Sequence, residues 1–214
     1  MNTGRLETFA DGVFAIAATL LVLSVDGHFG SCAPLDATLA HQLACSWPSY
    51  VAYVVSFLTI GIIWVNHHTV MDQIDHADRT FLMITVGFLM VVAFIPFPTR
   101  LVAESIQGDG TRAATIAYGI TLTLTVALFN AIWFYAARGG RLLRPDADPE
   151  TVRGISKTFV FGPWLYLALT VVAVIDPVAG AIGFGVFALF WVIESSVFGR
   201  DRSPVPPNGE ATAR

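Results

Sequence analysis

The chain has 214 residues, of which 55% are hydrophobic and 13% are charged, and its formal net charge is -4. A soluble domain usually carries about 25% charged residues, because its surface must be wetted by water. The low charge content therefore indicates that much of this surface faces lipid. The small net charge and the lack of a basic tract argue against a nucleic-acid partner.

Six apolar segments are long enough, or nearly so, to cross a bilayer. The hydrocarbon core is about 30 Å thick and needs about 20 helical residues to span it. Helices are favoured in lipid because each one satisfies its own backbone hydrogen bonds. The predicted fold is an all-α membrane protein with six transmembrane helices per subunit in one domain (residues 1–198), at residues 9–25, 48–71, 80–102, 111–137, 152–175 and 177–198.

Charge asymmetry predicts the orientation of these helices. No small-residue cleavage pattern follows the first apolar segment, so this segment is predicted to be a retained span. With a cytoplasmic N-terminus, ten Lys and Arg residues lie inside and only Arg100 and Arg112 lie outside. This bias follows the positive-inside rule. Both termini are predicted to be cytoplasmic, the protein to lie in the cell membrane, and the proline-rich residues 199–214 to form a disordered tail.

The two cysteines, Cys32 and Cys45, both fall in the first long polar interval. Two interpretations stay open. They are either two free thiols or a disulfide on the outer side, which an oxidising compartment would permit.

The first apolar segment carries ionisable groups at its boundary. Arg5 and Asp11 are costly there unless they face protein or water. At about 100° per residue, four further side chains share one stripe of the helix: Ile16, Thr19, Leu20 and Leu23. The stripe offers apolar groups and one hydroxyl. Its spacing alone is equally typical of ordinary helix packing.

This segment also contains a specific motif. From Arg5 it reads Arg-x-x-x-Phe-Ala-Asp-Gly-Val-Phe-Ala-Ile-Ala-x-Thr-Leu-Leu. The motif resembles the signature of the transmembrane-protein-175 family of potassium channels, in its prokaryotic form with a single six-helix repeat. Ala10 stands where the family usually has Ser, which removes a hydroxyl. The second predicted span adds a looser likeness at Trp64, His67 and His68.

The resemblance implies a potassium-selective channel that conducts passively and catalyses no reaction. It implies a homotetramer whose four first helices line a central pore, with potassium as the permeant ion and no cofactor. The sequence has no Thr-Val-Gly-Tyr-Gly filter. The resemblance instead places a hydrophobic constriction at Ile16, a hydroxyl layer at Thr19, and further apolar rings at Leu20 and Leu23. Such constrictions can gate by dewetting.

The resemblance also implies a polar network that braces the first helix. An indole donor and imidazole groups can supply hydrogen bonds to a carboxylate. Imidazole titrates near neutral pH, so proton sensing by His67 or His68 stays open. The signature and bracing residues are Arg5, Phe9, Asp11, Trp64, His67 and His68.

Two other classes of protein fit this sequence less well than a channel does. A small secondary transporter of a cation or proton would typically show paired broken helices and charged groups near the membrane centre, and no carboxylate lies there. A membrane enzyme would need a nucleophile–base pair or a metal cluster. His67, His68 and His76 are too few for a two-metal site, so no metal is predicted.

Overall fold

The computed structural model describes residues 3–26, 38–105 and 110–198, and all of their side chains except those of residues 26 and 192–198. The predicted tail at 199–214 lies outside these residues. Within them the predicted all-α architecture is confirmed. The α-helices are α1 Gly4–Leu20, α2 Leu23–Asp26, α3 Leu39–Cys45, α4 Trp47–Met71, α5 Arg79–Phe94, α6 Pro96–Ser105, α7 Thr111–Ala137, α8 Pro149–Ile175 and α9 Pro177–Phe198.

Several helical segments have the length and composition to cross a membrane. In the part of the chain that the structure describes there are five, namely Gly4–Val25, Trp47–Met71, Arg79–Ser105, Thr111–Gly140 and Pro149–Ile175. The chain is therefore a membrane protein. Pro177–Trp191 is a shorter apolar helix at the position of the sixth predicted span.

The first of these segments is not one continuous helix. α1 ends at Leu20, and a turn at Leu21 and Val22 precedes α2. The Thr19 hydroxyl is within 2.9 Å of both the Ala15 and the Ile16 carbonyl oxygens, and such back-bonding bends helices. Leu23 belongs to α2, within the same apolar span Gly4–Val25 as Ile16, and its place on one stripe with Ile16 stays a prediction.

The third segment is also interrupted, at Ile95 between α5 and α6. Pro96 has no backbone N–H, so the helical hydrogen-bond ladder is broken there. The Ile95 N–H donates instead to the Val92 carbonyl at 3.1 Å, which tightens the last turn of α5. α6, the part of this segment that follows the break, contacts α4 and α7.

One face of α1 is built into the protein core and packs on α4 and α5. Its buried residues are Leu6, Ala10, Phe14 and Ala17. The alanines at positions 10 and 17 have no exposed surface, and small residues of this kind let membrane helices approach closely. At Ala10, where the family pattern has Ser, a methyl group therefore lies within a tight helix contact.

A polar connection fixes α5 against α7 at the end predicted to be cytoplasmic. Asp78 caps α5 by accepting the Phe81 N–H at 2.8 Å, and it also accepts the Tyr135 hydroxyl at 2.7 Å. Arg141 lies 3.5 Å from the same carboxylate. These hydrogen bonds, the backbone one first, and the Arg141 charge hold the pKa of Asp78 below its usual value. The connection fixes the start of α5 beside the end of α7.

Cys45 lies at the end of α3 and is disulfide-bonded, so the interpretation of two free thiols is not supported. The other cysteine of the sequence, Cys32, lies outside the described residues. The disulfide is on the side of the chain predicted to face outward.

Candidate functional site

The stripe predicted on the first helix is exposed on the surface of the subunit. Ile16 is 60% exposed, and Thr19, Leu20 and Leu23 are exposed as well. None of these side chains is covered by the other described helices of the same chain. Because the opposite face of α1 is buried, the helix is fixed in a rotation that leaves this stripe open.

Thr19 gives the stripe a defined polar group. Its single hydroxyl hydrogen is directed at the Ala15 and Ile16 carbonyls, each 2.9 Å away. A hydroxyl oxygen that has committed its hydrogen can still accept through its lone pairs. The stripe therefore presents an oxygen ligand between apolar side chains.

Asp11 and Trp64 are brought together as the sequence analysis expected. The Trp64 Nε1–H donates to Oδ1 of Asp11 at 2.9 Å and links α1 to α4. The His68 ring lies one turn further along α4, with its centroid 6.2 Å from that of Trp64. The hydrogen bond fixes the middle of α1 on the surface of α4.

His67 lies on the other side of α4, inside the core. Its ring stacks on Phe88 at 5.9 Å with an interplanar angle of 6°. Phe14 of α1 and Phe129 of α7 lie at 5.6 and 6.5 Å. No described residue forms a hydrogen bond with its Nε2 atom. His67 thus contacts α1 by ring packing, whereas Trp64 contacts it through a hydrogen bond.

Arg5 and Phe9 lie on α1 but stand apart from this cluster. Both side chains are exposed on the subunit surface. None of the described carboxylates, Asp11 included, forms an ion pair with Arg5. The structure therefore joins Asp11, Trp64 and His68 in one group and places Arg5 and Phe9 outside it.

An open groove runs between α1 and α4 beside the exposed stripe, with a volume of 650 Å³. Asp11 and Trp64 line it with apolar residues of both helices, including Phe14, Ala18, Phe57 and Gly61. Phe57 and Gly61 were missed by the sequence analysis. Their spacing from Trp64, at i−7 and i−3, places them on the same face of α4 and could have identified them.

The chain is similar to several known proteins. The family model described as the endosomal/lysosomal potassium channel TMEM175 matches residues 5–96. A potassium channel of Streptomyces collinus is 36% identical over 211 residues, which cover 96% of this chain and 95% of that protein. A potassium channel of Chamaesiphon minutus is 42% identical over 167 residues, which cover 78% of this chain and 81% of that protein.

A solved structure has the same fold. The crystal structure of a lysosomal potassium-selective channel TMEM175 homolog from Chamaesiphon minutus superposes with a TM-score of 0.81 at 34% sequence identity, covering 90% of this chain and 97% of that chain. Fold and surface thus define a multi-helix membrane protein with an exposed first helix. The chain belongs to the TMEM175 family, which confirms the resemblance stated for its first-helix motif. The family model describes an ion channel and not an enzyme.

Proposed function

We propose that this chain is one subunit of a potassium channel that conducts potassium passively through a pore lined by α1. The observation that carries the proposal is the rotation of α1, which buries Phe14 and leaves Ile16 60% exposed. No other described helix of the same chain covers this stripe. Two similar proteins are named as potassium channels, which supports the same function.

The pore is formed by four copies of the chain around a central axis. Each copy contributes the exposed stripe of α1, and the apolar groove between α1 and α4 receives the neighbouring subunit. An apolar groove of 650 Å³ beside the stripe is suited to this contact, because membrane helices associate through close packing.

The narrowest part of the pore is a ring of Ile16 side chains. A ring of apolar groups can close the pore to water and ions by dewetting. Thr19 lies almost one turn further and offers oxygen ligands that replace lost hydration water. Leu20 and Leu23 form further apolar rings toward the outer side. Selectivity is modest, because isoleucine cannot substitute for water as a ligand.

The hydrogen bond between Trp64 and Asp11 maintains the pore by holding α1 on α4. A turn of α1 by one residue, about 100°, would carry Ile16 away from the axis. The core packing of Phe14 against His67 and Phe88 resists the same rotation. These contacts belong to the bracing network proposed for the first helix, whereas Arg5 and Phe9, which lie outside them, face the neighbouring subunit.

The channel lies in the cell membrane with six crossings, α9 being the sixth, and with both termini in the cytoplasm. The distribution of Lys and Arg supports this orientation. The connection around Asp78 and Arg141 then lies on the cytoplasmic side.

Flux measurements on the purified protein in liposomes test the proposal. Wild-type protein is expected to carry potassium flux with single-channel steps in planar bilayers, which a transporter would not show. Ile16→Asn is expected to raise sodium permeability relative to potassium. Ile182→Asn is the matched control, because Ile182 on α9 is 61% exposed. Equal flux in empty and protein-loaded vesicles would contradict the proposal.

A further inference from the structure

A second cavity lies between helices of the bundle, away from the exposed stripe of α1. It has a volume of 70 Å³, is lined by α4, α7, α8 and α9, and is partly open at its edge, where Thr158 is exposed. The rings of Phe129, Phe159 and Tyr166 form much of its wall, and the side chains of Asn66 and Asn130 also line it. No charged side chain belongs to its lining among the described residues. The cavity is thus mainly apolar, with a few polar groups.

Asn130 leaves one of its polar atoms unpaired in this wall. The residue is only 8% exposed. Its Nδ2 atom donates to the Val126 carbonyl at 3.1 Å, whereas its Oδ1 atom receives no hydrogen bond from any described residue. Leaving a buried acceptor without a donor costs free energy, and this cost is greater where no bulk water can reach it.

A second acceptor arises from the sequence of α8. Pro163 lies inside this helix and has no N–H, so the carbonyl of Phe159 four residues earlier lacks its helical donor. α7 and α8 approach closely beside it. A Cβ added at Gly162 would lie 3.1 Å from Cγ1 of Val126. Both Phe159 and Gly162 line the cavity, so the break in the hydrogen-bond ladder borders the same space as Asn130.

The two threonine hydroxyl groups in the wall have already committed their hydrogens. Thr125 donates to the Thr121 carbonyl at 2.8 Å, and Thr158 donates to the Gly154 carbonyl at 3.2 Å. Their oxygens can therefore act toward the cavity only as acceptors. The wall also includes Tyr166 and Trp191, whose hydroxyl and indole N–H can donate, and none of its described residues is charged. A ligand that suits this wall must therefore both donate and accept hydrogen bonds and carry no charge.

We propose that this cavity is a binding site for ordered water, which bridges Asn130 Oδ1 to the backbone of α8 at its proline break. A cavity of this volume has room for roughly two to four water molecules. Water supplies two donors in a small volume, whereas a lipid chain supplies none. The bound water links α7 to α8 where the α8 backbone cannot bond to itself.

X-ray radiolytic footprinting of the purified, intact protein tests this site, because hydroxyl radicals formed from bound water oxidise the nearest side chains. Two phenylalanines in contact serve as the internal comparison. Phe129 lines the cavity and is 7% exposed, whereas Phe88 does not line it and is 0% exposed. Their ring centroids are 5.5 Å apart. Phe129 is expected to be oxidised several-fold faster than Phe88 in the wild-type protein.

Two variants distinguish the effect of bound water from a general increase in the solvent accessibility of the bundle. Asn130→Leu removes the acceptor and is expected to slow oxidation of Phe129 to the rate of Phe88. Thr85→Val removes another buried hydroxyl, on α5 and outside the cavity, and is expected to leave the Phe129 rate unchanged. Equal slow oxidation of Phe129 and Phe88 in the wild-type protein, or xenon binding to the cavity under pressure, would overturn the proposal by showing a dry site.

Discussion

The indole Nε1 of Trp64 donates a 2.9 Å hydrogen bond to Oδ1 of Asp11, which joins α4 to the middle of α1. The bond lies on the surface of the subunit, beside the groove between the two helices. It adds a polar contact on the exposed side of α1, opposite the buried Leu6 and Ala10. The angular position of Ile16 therefore depends on a contact about one and a half helical turns away.

Trp64→Phe is expected to lower both the thermal unfolding midpoint and the potassium flux. The change keeps an aromatic ring and removes the donor to Asp11. Hydrogen bonds to charged groups contribute about 1.5–3 kcal/mol when buried, and because Trp64 is 41% exposed we expect a loss of about 1 kcal/mol. Trp164→Phe is the control, as that exposed ring on α8 lies far from α1 in sequence. Equal effects of the two substitutions would show that the hydrogen bond does not support α1.

Thr19→Val is expected to lower the permeability of potassium relative to sodium. Valine keeps the shape of threonine but removes the oxygen that faces the pore. The unfolding midpoint should change little, because Thr19 is exposed and its hydrogen bonds stay within its own helix. Reversal potentials in mixed potassium and sodium solutions measure the effect.

Thr8→Val provides the matched control for this experiment. Thr8 is also exposed on α1 and donates to the Gly4 carbonyl at 2.9 Å, but it lies about three turns before Thr19 and outside the proposed hydroxyl layer. An unchanged permeability ratio in Thr19→Val, or the same change in both variants, would argue against a hydroxyl layer at Thr19.

Asp78→Asn is expected to lower the unfolding midpoint at neutral pH and to have little effect in acid. The pKa of Asp78 is held below its usual value, first by the Phe81 N–H and then by the Tyr135 hydroxyl. A carboxylate with a depressed pKa stabilises the folded state above its unfolded pKa, and this contribution is lost as the pH falls through the folded pKa. The two proteins should therefore converge below about pH 4.

Unfolding midpoints measured across this pH range check the prediction for Asp78. Tyr135→Phe removes one of its hydrogen bonds and should produce a smaller change of the same sign. A difference between Asp78→Asn and wild type that stays constant from neutral pH into strong acid would contradict the assigned ionic role.

The first helix is largely predictable from the sequence, whereas its partners are not. A motif and a helical period identify Asp11 and Ile16, because both features are local. The break after Leu20 lies next to Thr19, whose hydroxyl competes with backbone N–H groups for the Ala15 and Ile16 carbonyls. A hydropathy pattern does not reveal such hydrogen bonds. The burial of His67 depends on Phe14, Phe88 and Phe129, which come from three other helices. Helix periodicity does not predict such contacts between distant segments.

The most direct test of the central claim is chemical modification of Ile16→Cys during current recording. A cationic thiol reagent added to this variant is expected to block the potassium current, because its charge enters the pore axis. The same reagent on Ile182→Cys, at a position equally exposed on the subunit, should leave the current unchanged. Complete modification of Ile16→Cys, verified by mass spectrometry, together with an undiminished potassium current would contradict a pore lined by α1.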